Sequence, residues 1–355
     1  MSRIIQPSRK PTRMHDCPIY VTGMMESGKS TFMTLLDGHP DLLVFPQEPN
    51  FGRMLEQQFT SAEDARRWSL EKSDFSKSGS LRGIEDQQES AYDHRKYLAE
   101  LEHALSEKFA PREVMIETMR AFAEASNQNF DSRKYWVFNE PSRARMAPWL
   151  FSTFPNGKVI HLIRDPREHF AAIKAHHRQV DADMGRAPAL SFSMDWALGV
   201  TQAFENRGKF GASRYLIVGY EDVRDQKEKT VRRIADFLNI EFDPVLLHPS
   251  KVGISAATTD GRITESEIGK WIQPLTRREH ILIESLCGDV MLGSQTGYRP
   301  HLNSALQKIV NGLLRRVVYA SYYGKRLLKG IVSPDALHEL SRIDRAANNV
   351  YAFRL

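Results

Sequence analysis

The strongest constraint on the fold is a short apolar run that leads through a glycine-containing loop into a helical pattern. Residues 18–23 read PIYVTG, and residues 29–38 read KSTFMTLLDG. The first stretch predicts a short buried strand, and the second predicts a helix that ends at Gly38. A strand, a loop and a helix in this order predict the beginning of an α/β fold.

The loop itself has a spacing that favours anion binding. Gly23, Gly28, Lys29 and Ser30 satisfy the Walker A pattern G-x4-G-K-S. The glycines let backbone N–H groups turn toward phosphate oxygens, and the following helix presents the positive end of its dipole to the anion. Lys29 adds a point charge. We therefore predict a phosphate-binding loop, although the motif alone does not say which nucleotide carries the phosphate.

The remaining chain alternates β-rich runs with helical patterns. Further strands are predicted at residues 134–138, 158–163 and 214–220, and a further helix at 228–240. The polar stretch from about residue 55 to 130 predicts a helical insertion. The expected fold class is α/β, with a P-loop-type central parallel sheet flanked by helices. Ligands of such sheets bind at the carboxyl ends of the strands.

The C-terminal part predicts a separate extension. We expect a catalytic domain over residues 1–300 and an amphipathic helical extension over residues 301–355. Within it, residues 303–330 place apolar side chains along one helical face, with basic residues interspersed. Such a helix packs on the catalytic body or on another subunit, or it lies on an anionic membrane surface. The sequence leaves these alternatives open.

Composition limits the function classes. The net charge of +5 is too mild to indicate nucleic-acid binding. The two cysteines, Cys17 and Cys287, are too few for a disulfide framework and lack metal-ligand spacing, which fits a reducing compartment. The basic N-terminus lacks the apolar core of a secretory signal, and no apolar run reaches the length of a membrane span. We expect a soluble cytoplasmic protein, with peripheral membrane contact only through residues 303–330.

The residue after the best candidate strand separates two enzyme classes. A Walker-type kinase or switch protein commonly ends an apolar strand with an aspartate that holds Mg²⁺. Here the run KVIHLI is followed by Arg164. A cation at this position favours an additional anionic group over a metal ion. The Walker A spacing still supports a Walker-type ATP-dependent kinase, which is the alternative from a different class. The missing metal-binding aspartate counts against it.

Four ordered segments together resemble the sulfotransferases that use 3′-phosphoadenosine 5′-phosphosulfate (PAPS). These segments are residues 23–51, 158–177, 215–240 and 261–276. The resemblance extends over roughly residues 18–298. It implies transfer of a sulfuryl group to a hydroxyl acceptor such as a glycan, a lipid or a small alcohol. The implied donor product is 3′-phosphoadenosine 5′-phosphate (PAP), and the scheme requires no metal.

The resemblance also assigns roles to individual residues. The 5′-phosphosulfate would bind the loop residues Ser27, Gly28, Lys29, Ser30 and Thr31. Arg164 would hold the 3′-phosphate through a charge-assisted pair. By the same resemblance, Tyr220 would flank the adenine and Arg262 would be a second clamp on the 3′-phosphate.

Catalysis is assigned to two residues. Glu48, at the carboxyl end of a strand predicted in LLVFPQEPNF, resembles the glutamate that glycan-modifying sulfotransferases use as a base. The prolines on either side predict a fixed loop. Lys29 would neutralise the leaving phosphate. His39 is the rival base, although a histidine that closes the first helix is more often a cap.

Two positions depart from the pattern of that family. Glu26 stands where the family usually has Lys or Arg. Lys29 either pairs with Glu26 or takes over the electrostatic task of the basic residue that is missing here. Ala172 stands where the family typically has a serine that binds the 3′-phosphate. Losing one neutral hydrogen bond costs about 0.5–1.5 kcal/mol. A donor-binding protein with impaired turnover is therefore a further alternative.

Overall fold

The computed structural model describes residues 16–57, 59, 61–74, 92–105, 110–141, 144–179, 188–250, 275–293 and 297–300. These residues form two compact units. The first contains the described residues of 16–163 and 206–250, and the second contains those of 164–205 and 275–300. Arg262 and the predicted helix at 303–330 lie outside the described residues. The proposed domain boundary at residue 300 therefore stays a prediction.

The first unit is built on a five-stranded parallel sheet. Its strands are β1 (Pro18–Gly23), β2 (Leu42–Val44), β3 (Tyr135–Pro141), β4 (Lys158–Ile163) and β5 (Tyr215–Gly219). They lie in the order β2-β3-β1-β4-β5, and every neighbouring pair is parallel. The predicted parallel α/β sheet is confirmed. Because β1 lies between β3 and β4, the loop that follows it starts at the middle of the carboxyl edge.

Helices flank the strands along the chain. In chain order they are α1 (Lys29–Leu36), α2 (Phe51–Glu56), α3 (Ala62–Ser73), α4 (His94–Ala104), α5 (Pro111–Ala125), α6 (Ala147–Thr153), α7 (Pro166–Gln179), α8 (Pro188–Phe210), α9 (Tyr220–Asp225), α10 (Lys227–Leu238) and α11 (Arg277–Gly293). The predicted insertion contains α3, α4 and α5 within the described residues. The predicted helix at 228–240 corresponds to α10, shifted by one or two residues at its ends.

One face of the sheet carries the aliphatic core. Ile19 and Val21 of β1 alternate with side chains that point to the other face, as a strand requires. Phe32 and Leu36 from α1 and Leu238 from α10 belong to the same buried cluster. Burying each such side chain contributes about 1.5–3 kcal/mol. This packing fixes α1, and with it the loop that enters α1, against the sheet.

The opposite face of the sheet is aromatic. Tyr20 of β1 stacks on Phe138 of β3 with ring centres 5.1 Å apart, and Phe51 of α2 meets Phe138 edge-on at 5.2 Å. Trp136 packs on Phe154 at 5.5 Å. Aromatic pairs of this geometry add about 0.5–1.5 kcal/mol beyond their buried area. The start of α2 is therefore fixed to the sheet.

The second unit contains α7, α11 and residues 188–205 of α8. Its interior holds a charged network in which Arg167 contacts Asp165 at 2.6 Å and Glu284 at 2.7 Å. All three side chains are buried, and buried charges persist only when they are paired and hydrogen-bonded. Lys174 of α7 pairs with Glu279 of α11 at 2.8 Å. These contacts join the two helices within this unit.

Within the described ranges, no helix combines the length and the apolar character that crossing a bilayer requires.

Candidate functional site

Gly23 ends β1 where only a glycine fits. Its φ is +150°, and an added Cβ would lie 2.5 Å from the carbonyl oxygen of Leu162 and 2.7 Å from Oγ of Ser27. Atoms cannot approach so closely without moving backbone, and the Leu162 oxygen belongs to the neighbouring strand β4. The chain can therefore turn out of β1 into the loop only because residue 23 has no side chain.

Gly28 is the residue before α1, and the ring of Tyr220 lies directly against it. The φ of Gly28 is +90°, a left-handed conformation. An added Cβ would lie 2.3 Å from Cδ2 of the tyrosine. The guanidinium of Arg224 is 5.9 Å from the centre of the same ring. Tyr220 is thus at the loop, as part of α9 and not as the end of the predicted strand.

The amino end of α1 has no side-chain cap. The first N–H groups of a helix have no intrahelical partner, and an uncapped, glycine-bounded helix start can present them to an anion. Ser27 is fully buried, and its hydroxyl has no hydrogen-bond partner among the described residues. Residues 27–31 therefore form the arrangement that the motif predicts. Their contact with a ligand stays a prediction.

Lys29 is buried beneath its own loop. Its ammonium donates a hydrogen bond to the carbonyl oxygen of Met24 at 2.7 Å, and the residue is only 5% exposed. Burial lowers its pKa from 10.5 to about 8, against the attraction of Glu48 and Glu26, which raises the pKa. Lys29 therefore interacts with both carboxylates at once. It remains mostly protonated at neutral pH.

Glu48 lies in a loop and not at the end of a strand, so that detail of the prediction is wrong. Strand β2 ends at Val44, and the N–H of Phe45 makes the last bond to β3, at Val137. Pro46 has no N–H with which to continue the pairing. The surrounding protein desolvates the Glu48 carboxyl group and raises its pKa, whereas Lys29 and Arg53 act in the opposite direction.

Two side chains hold the loop that carries Glu48. The amide of Asn50 donates to the carbonyl oxygen of Glu48 at 3.2 Å and to that of Lys72 at 3.4 Å. Asn50 adopts a left-handed φ of +60°, which asparagine tolerates better than most residues. The carboxylate of Glu140 accepts a hydrogen bond from the N–H of Gly52 at 2.8 Å. These bonds hold the segment that leads from Glu48 into α2.

His39 is held in a structural role. Its Nε2 is 3.0 Å from the carbonyl oxygen of Glu241, and its Nδ1 accepts a bond from the N–H of Asp41 at 3.1 Å. The carbonyl oxygen requires a donor and the amide N–H requires an acceptor, a pairing that the tautomer with its proton on Nε2 provides. Asp37, not His39, terminates α1. The rival base therefore has both ring nitrogens bonded.

The remaining predicted residues lie in other parts of the chain. Arg164 begins the second unit, and its carbonyl oxygen accepts a bond from the indole N–H of Trp196 at 2.9 Å. Ala172 lies in α7 of the same unit. Arg262 lies outside the described residues. The structure therefore brings together residues 27–31, Glu48 and Tyr220 within the first unit.

Sequence reasoning missed three polar residues near the carboxyl edge of the sheet. Asn139 and Glu140 are both buried at the end of β3. His161 of β4 is buried too, and this burial together with Lys29 lowers its pKa to about 3. A polar pair directly after the apolar run YWVF marks the carboxyl end of a parallel strand, where ligands bind. That pattern could have identified Asn139 and Glu140.

The sequence matches the model of the Sulfotransferase family over residues 18–244, which is more than half of the chain. The chain belongs to this family. The match covers β1 to β5, the loop between β1 and α1, and the loop that carries Glu48. A comparison with curated proteins gave no match.

Solved sulfotransferases resemble this one in structure. The sulfotransferase domain from the curacin biosynthetic pathway is 18% identical, covers 80% of this chain and 98% of that domain, and has a TM-score of 0.50. The domain from the Synechococcus PCC 7002 olefin synthase is 19% identical, covers 81% and 98%, and has a TM-score of 0.49. Mouse sulfotransferase SULT7A1, solved with PAP, is 13% identical, covers 79% and 87%, and has a TM-score of 0.44. The first of these similarities shows a shared fold.

Proposed function

We propose that this sulfotransferase moves a sulfuryl group from PAPS to the hydroxyl group of an acceptor. The choice of PAPS rests on the family of the chain, and one structural observation supports an anionic donor. The loop between Gly23 and α1 combines an uncapped helix start with the buried cation of Lys29. This combination suits the 5′-phosphosulfate end of such a donor.

The residues of the loop fit a bound phosphate. Neither glycine leaves room for a Cβ, so both are needed for the path of the loop that leads into the uncapped start of α1. One N–H of the Lys29 ammonium donates a hydrogen bond to the carbonyl oxygen of Met24. This bond orients the ammonium and leaves its two other N–H donors for a ligand. PAPS would supply the sulfuryl group and a phosphate as its leaving group.

Glu48 and Lys29 divide the chemistry. The acceptor oxygen forms a bond to sulfur while the bond from sulfur to the phosphate oxygen breaks. Glu48 takes the hydroxyl proton, and its raised pKa improves it as a base over an ordinary carboxylate. Lys29 neutralises the charge that develops on the leaving phosphate oxygen. The attraction between these two side chains supports a common site for base and cation.

Glu26 replaces the basic residue typical of this loop position. Its φ is +59°, and its charge raises the pKa of Lys29. We infer that Glu26 helps to keep the buried lysine protonated, while Lys29 takes over the task of the missing cation. This division of roles reconciles a carboxylate in the loop with an anionic donor.

The adenosine end of the donor is assigned to three further residues. We propose Arg164 and Arg262 for the 3′-phosphate and Tyr220 for the adenine, because they match the corresponding motifs of PAPS-dependent sulfotransferases. The contact of Tyr220 with Gly28 supports its placement near the nucleotide. We further propose that the enzyme acts in the cytoplasm and that residues 303–330 provide its contact with a membrane surface or another subunit.

A calorimetric titration tests the proposed donor. PAP should bind the intact protein without Mg²⁺, and ATP with Mg²⁺ should bind much more weakly. A preference for ATP with Mg²⁺ would favour a kinase and refute the proposal.

Turnover is tested separately with PAPS. Incubation with host extracts should yield products that have gained a sulfate, detected by mass spectrometry, with PAP released in equal amount. Binding of PAP without any sulfated product would identify a donor-binding protein that lacks turnover. Products from sugars, lipids and small alcohols would distinguish the acceptor classes.

A further inference from the structure

Helix α2 begins without the side-chain cap that its sequence offers. Asn50 stands at the N-cap position, where an asparagine normally accepts a hydrogen bond from the second or third N–H of the helix. Its side chain makes no such cap. The amide donates instead to the carbonyl oxygens of Glu48 and Lys72, at 3.2 and 3.4 Å. The first N–H groups of α2 therefore need an acceptor from another part of the chain.

Glu140 supplies this acceptor from strand β3. Its carboxylate accepts a hydrogen bond at 2.8 Å from the N–H of Gly52, the second residue of α2. Glu140 is 88 residues away from Gly52 along the chain, and it is only 2% exposed. A carboxylate at the amino end of a helix also interacts favourably with the helix dipole. Glu140 thus caps α2 in place of Asn50.

The sheet fixes the position of Glu140. In the pairing of β3 with β1 it lies beside Thr22, one residue before both strands end. The hydroxyl of Tyr20 donates to Oγ1 of Thr22 at 3.0 Å, and this bond is buried. All of these residues belong to the first unit. The cap of α2 therefore lies next to the point where the phosphate loop leaves β1 at Gly23.

A short series of hydrogen bonds leads from the cap to the proposed base. In the first turn of α2, the N–H of Met54 donates to the carbonyl oxygen of Asn50 at 2.9 Å. The amide of Asn50 in turn holds the carbonyl oxygen of Glu48. Residues 27–31 contribute no group to this series. A displaced start of α2 would therefore move Glu48 and leave the donor loop in place.

We propose that Glu140 is a positioning residue for Glu48: it caps α2 and so leaves the Asn50 side chain to hold the base. This inference rests on the proposed function, in which Glu48 takes the hydroxyl proton. Glu140 itself touches neither donor nor acceptor in this scheme. Its effect appears in the rate of transfer, because a reacting group that is misplaced by about 1 Å can cost about 10²-fold.

Turnover is measured as release of PAP from saturating PAPS, with host extract as the source of acceptor. Glu140→Ala should lower this rate about three- to tenfold, the effect of a slightly displaced base, and change PAP affinity less than about twofold. Glu140→Gln keeps an oxygen that can accept from the N–H of Gly52, so it should recover most of the lost rate. Equal losses of rate and PAP affinity in Glu140→Ala would overturn the inference.

The pH–rate profile distinguishes a displaced base from a weakened fold. Burial raises the pKa of Glu48, whereas Lys29 and Arg53 act in the opposite direction. A loosened start of α2 admits water to Glu48, so the acidic limb of the profile should shift to lower pH in Glu140→Ala. A limb that stays in place while the rate falls would contradict a role through Glu48.

Asp93→Ala is the matched control. The carboxylate of Asp93 caps α4 by accepting from the N–H groups of Arg95 and Lys96, both at 3.0 Å. Its loss should lower the melting temperature, because it too removes a helix cap of the first unit. The rate should stay within about twofold of the wild type, and the acidic limb should not shift. A control that loses as much rate as Glu140→Ala would reduce the effect to general destabilisation.

A double-mutant cycle tests the route through Asn50. In an Asn50→Gly background the bond to Glu48 is already lost, so Glu140→Ala should lower the rate by less than about twofold further. If the two changes lower the rate independently, each by its full factor, Glu140 does not act through Asn50.

Amide hydrogen exchange tests the same connection without turnover. Glu140→Ala should accelerate exchange at residues 47–56 and leave β1 and β3 protected. Unchanged exchange at residues 47–56, or faster exchange throughout the first unit, would overturn the inference. A wild-type protein that releases no PAP from PAPS would instead refute the proposed function, and the exchange experiment would still show whether Glu140 fixes the start of α2.

Discussion

The ammonium nitrogen of Lys29 lies 2.7 Å from the carbonyl oxygen of Met24, five residues earlier in the same loop. The lysine therefore closes the loop from inside, and its charge is buried before any ligand arrives. Burial lowers its pKa to about 8, close to physiological pH. The protonation of this one group thus becomes measurable in both binding and stability.

Binding of PAP should weaken at alkaline pH. The free protein loses the Lys29 proton above pH about 8, and a neutral amine no longer attracts the phosphate. Affinity should be nearly constant from neutral pH up to that value and then fall by up to about tenfold per pH unit. Calorimetry over a pH series measures this. An affinity that stays level or rises above pH 8 would contradict the role of Lys29.

Replacing Lys29 by methionine should stabilise the protein while abolishing PAP binding. The folded pKa of about 8 is lower than the unfolded value of 10.5, so the unfolded state binds more protons between these values. Below pH about 8 the buried charge therefore costs its full amount, about 3 kcal/mol, and the cost falls as pH rises toward 10.5. Methionine also loses the hydrogen bond to Met24, which reduces the expected gain in stability by about 1 kcal/mol.

The expected net gain at neutral pH is about 1–2 kcal/mol, measured by denaturant unfolding. Lys29→Arg is the control, because its guanidinium keeps the charge and should not stabilise. A methionine variant that is less stable than the wild type would contradict the prediction.

Glu48→Gln should cut turnover about 10²-fold or more with little change in PAP affinity at neutral pH. The same variant removes the attraction that raises the pKa of Lys29, so the alkaline decline in PAP binding should begin at lower pH. Rates of PAP release and the pH series measure the two effects. In the wild type, the raised pKa of Glu48 should shift the acidic limb of the pH–rate profile to higher pH than an ordinary carboxylate would give. Undiminished turnover would assign the base to another residue.

Asn50 should affect the rate through Glu48. Asn50→Gly keeps the left-handed backbone but loses the bonds to Glu48 and Lys72. It should lower kcat several-fold and leave PAP affinity unchanged. Asn50→Ala, with the same bonds lost, also strains a φ of +60° and should be less stable by about 1 kcal/mol. If both variants turn over like the wild type, the loop does not depend on these bonds.

The contact between Tyr220 and Gly28 predicts a coupling. Gly28→Ala should destabilise the protein by about 1–3 kcal/mol, because a side chain strains the positive φ and meets the tyrosine ring. In a Tyr220→Ala background only the backbone strain remains, so the cost should be smaller by at least about 0.5 kcal/mol. Unfolding of the four proteins in a double-mutant cycle measures this. Additive effects would show that the ring yields without cost.

Local pattern was sufficient for the centre of the fold. The predicted limits of β1 and β4 agree with the structure, because buried apolar runs between turn residues leave little freedom. The strand predicted to end at Glu48 ends at Val44, because Pro46 has no N–H with which to continue the pairing to β3. Tyr220 was assigned to a strand, although it begins α9.

A pocket lined by Ser30, Pro46 and Asn139 was not predictable from local sequence. It depends on the register that places Val44 beside Val137 and on the packing of α1 across both strands. A pattern of residue types shows neither relation. Likewise, the sequence left open whether Lys29 pairs with Glu26 or takes over the electrostatic task of that loop position, and only the hydrogen bond to Met24 shows how the lysine charge is held.

The loop between β1 and α1 tolerates change very unevenly. Met25 is 55% exposed at its tip, whereas Gly23 and Gly28 have no room for even a methyl group. Libraries of variants of this loop should therefore randomise position 25 and keep both glycines. Sequence variation in this loop is thus open at position 25 and closed at the two glycines that set its path.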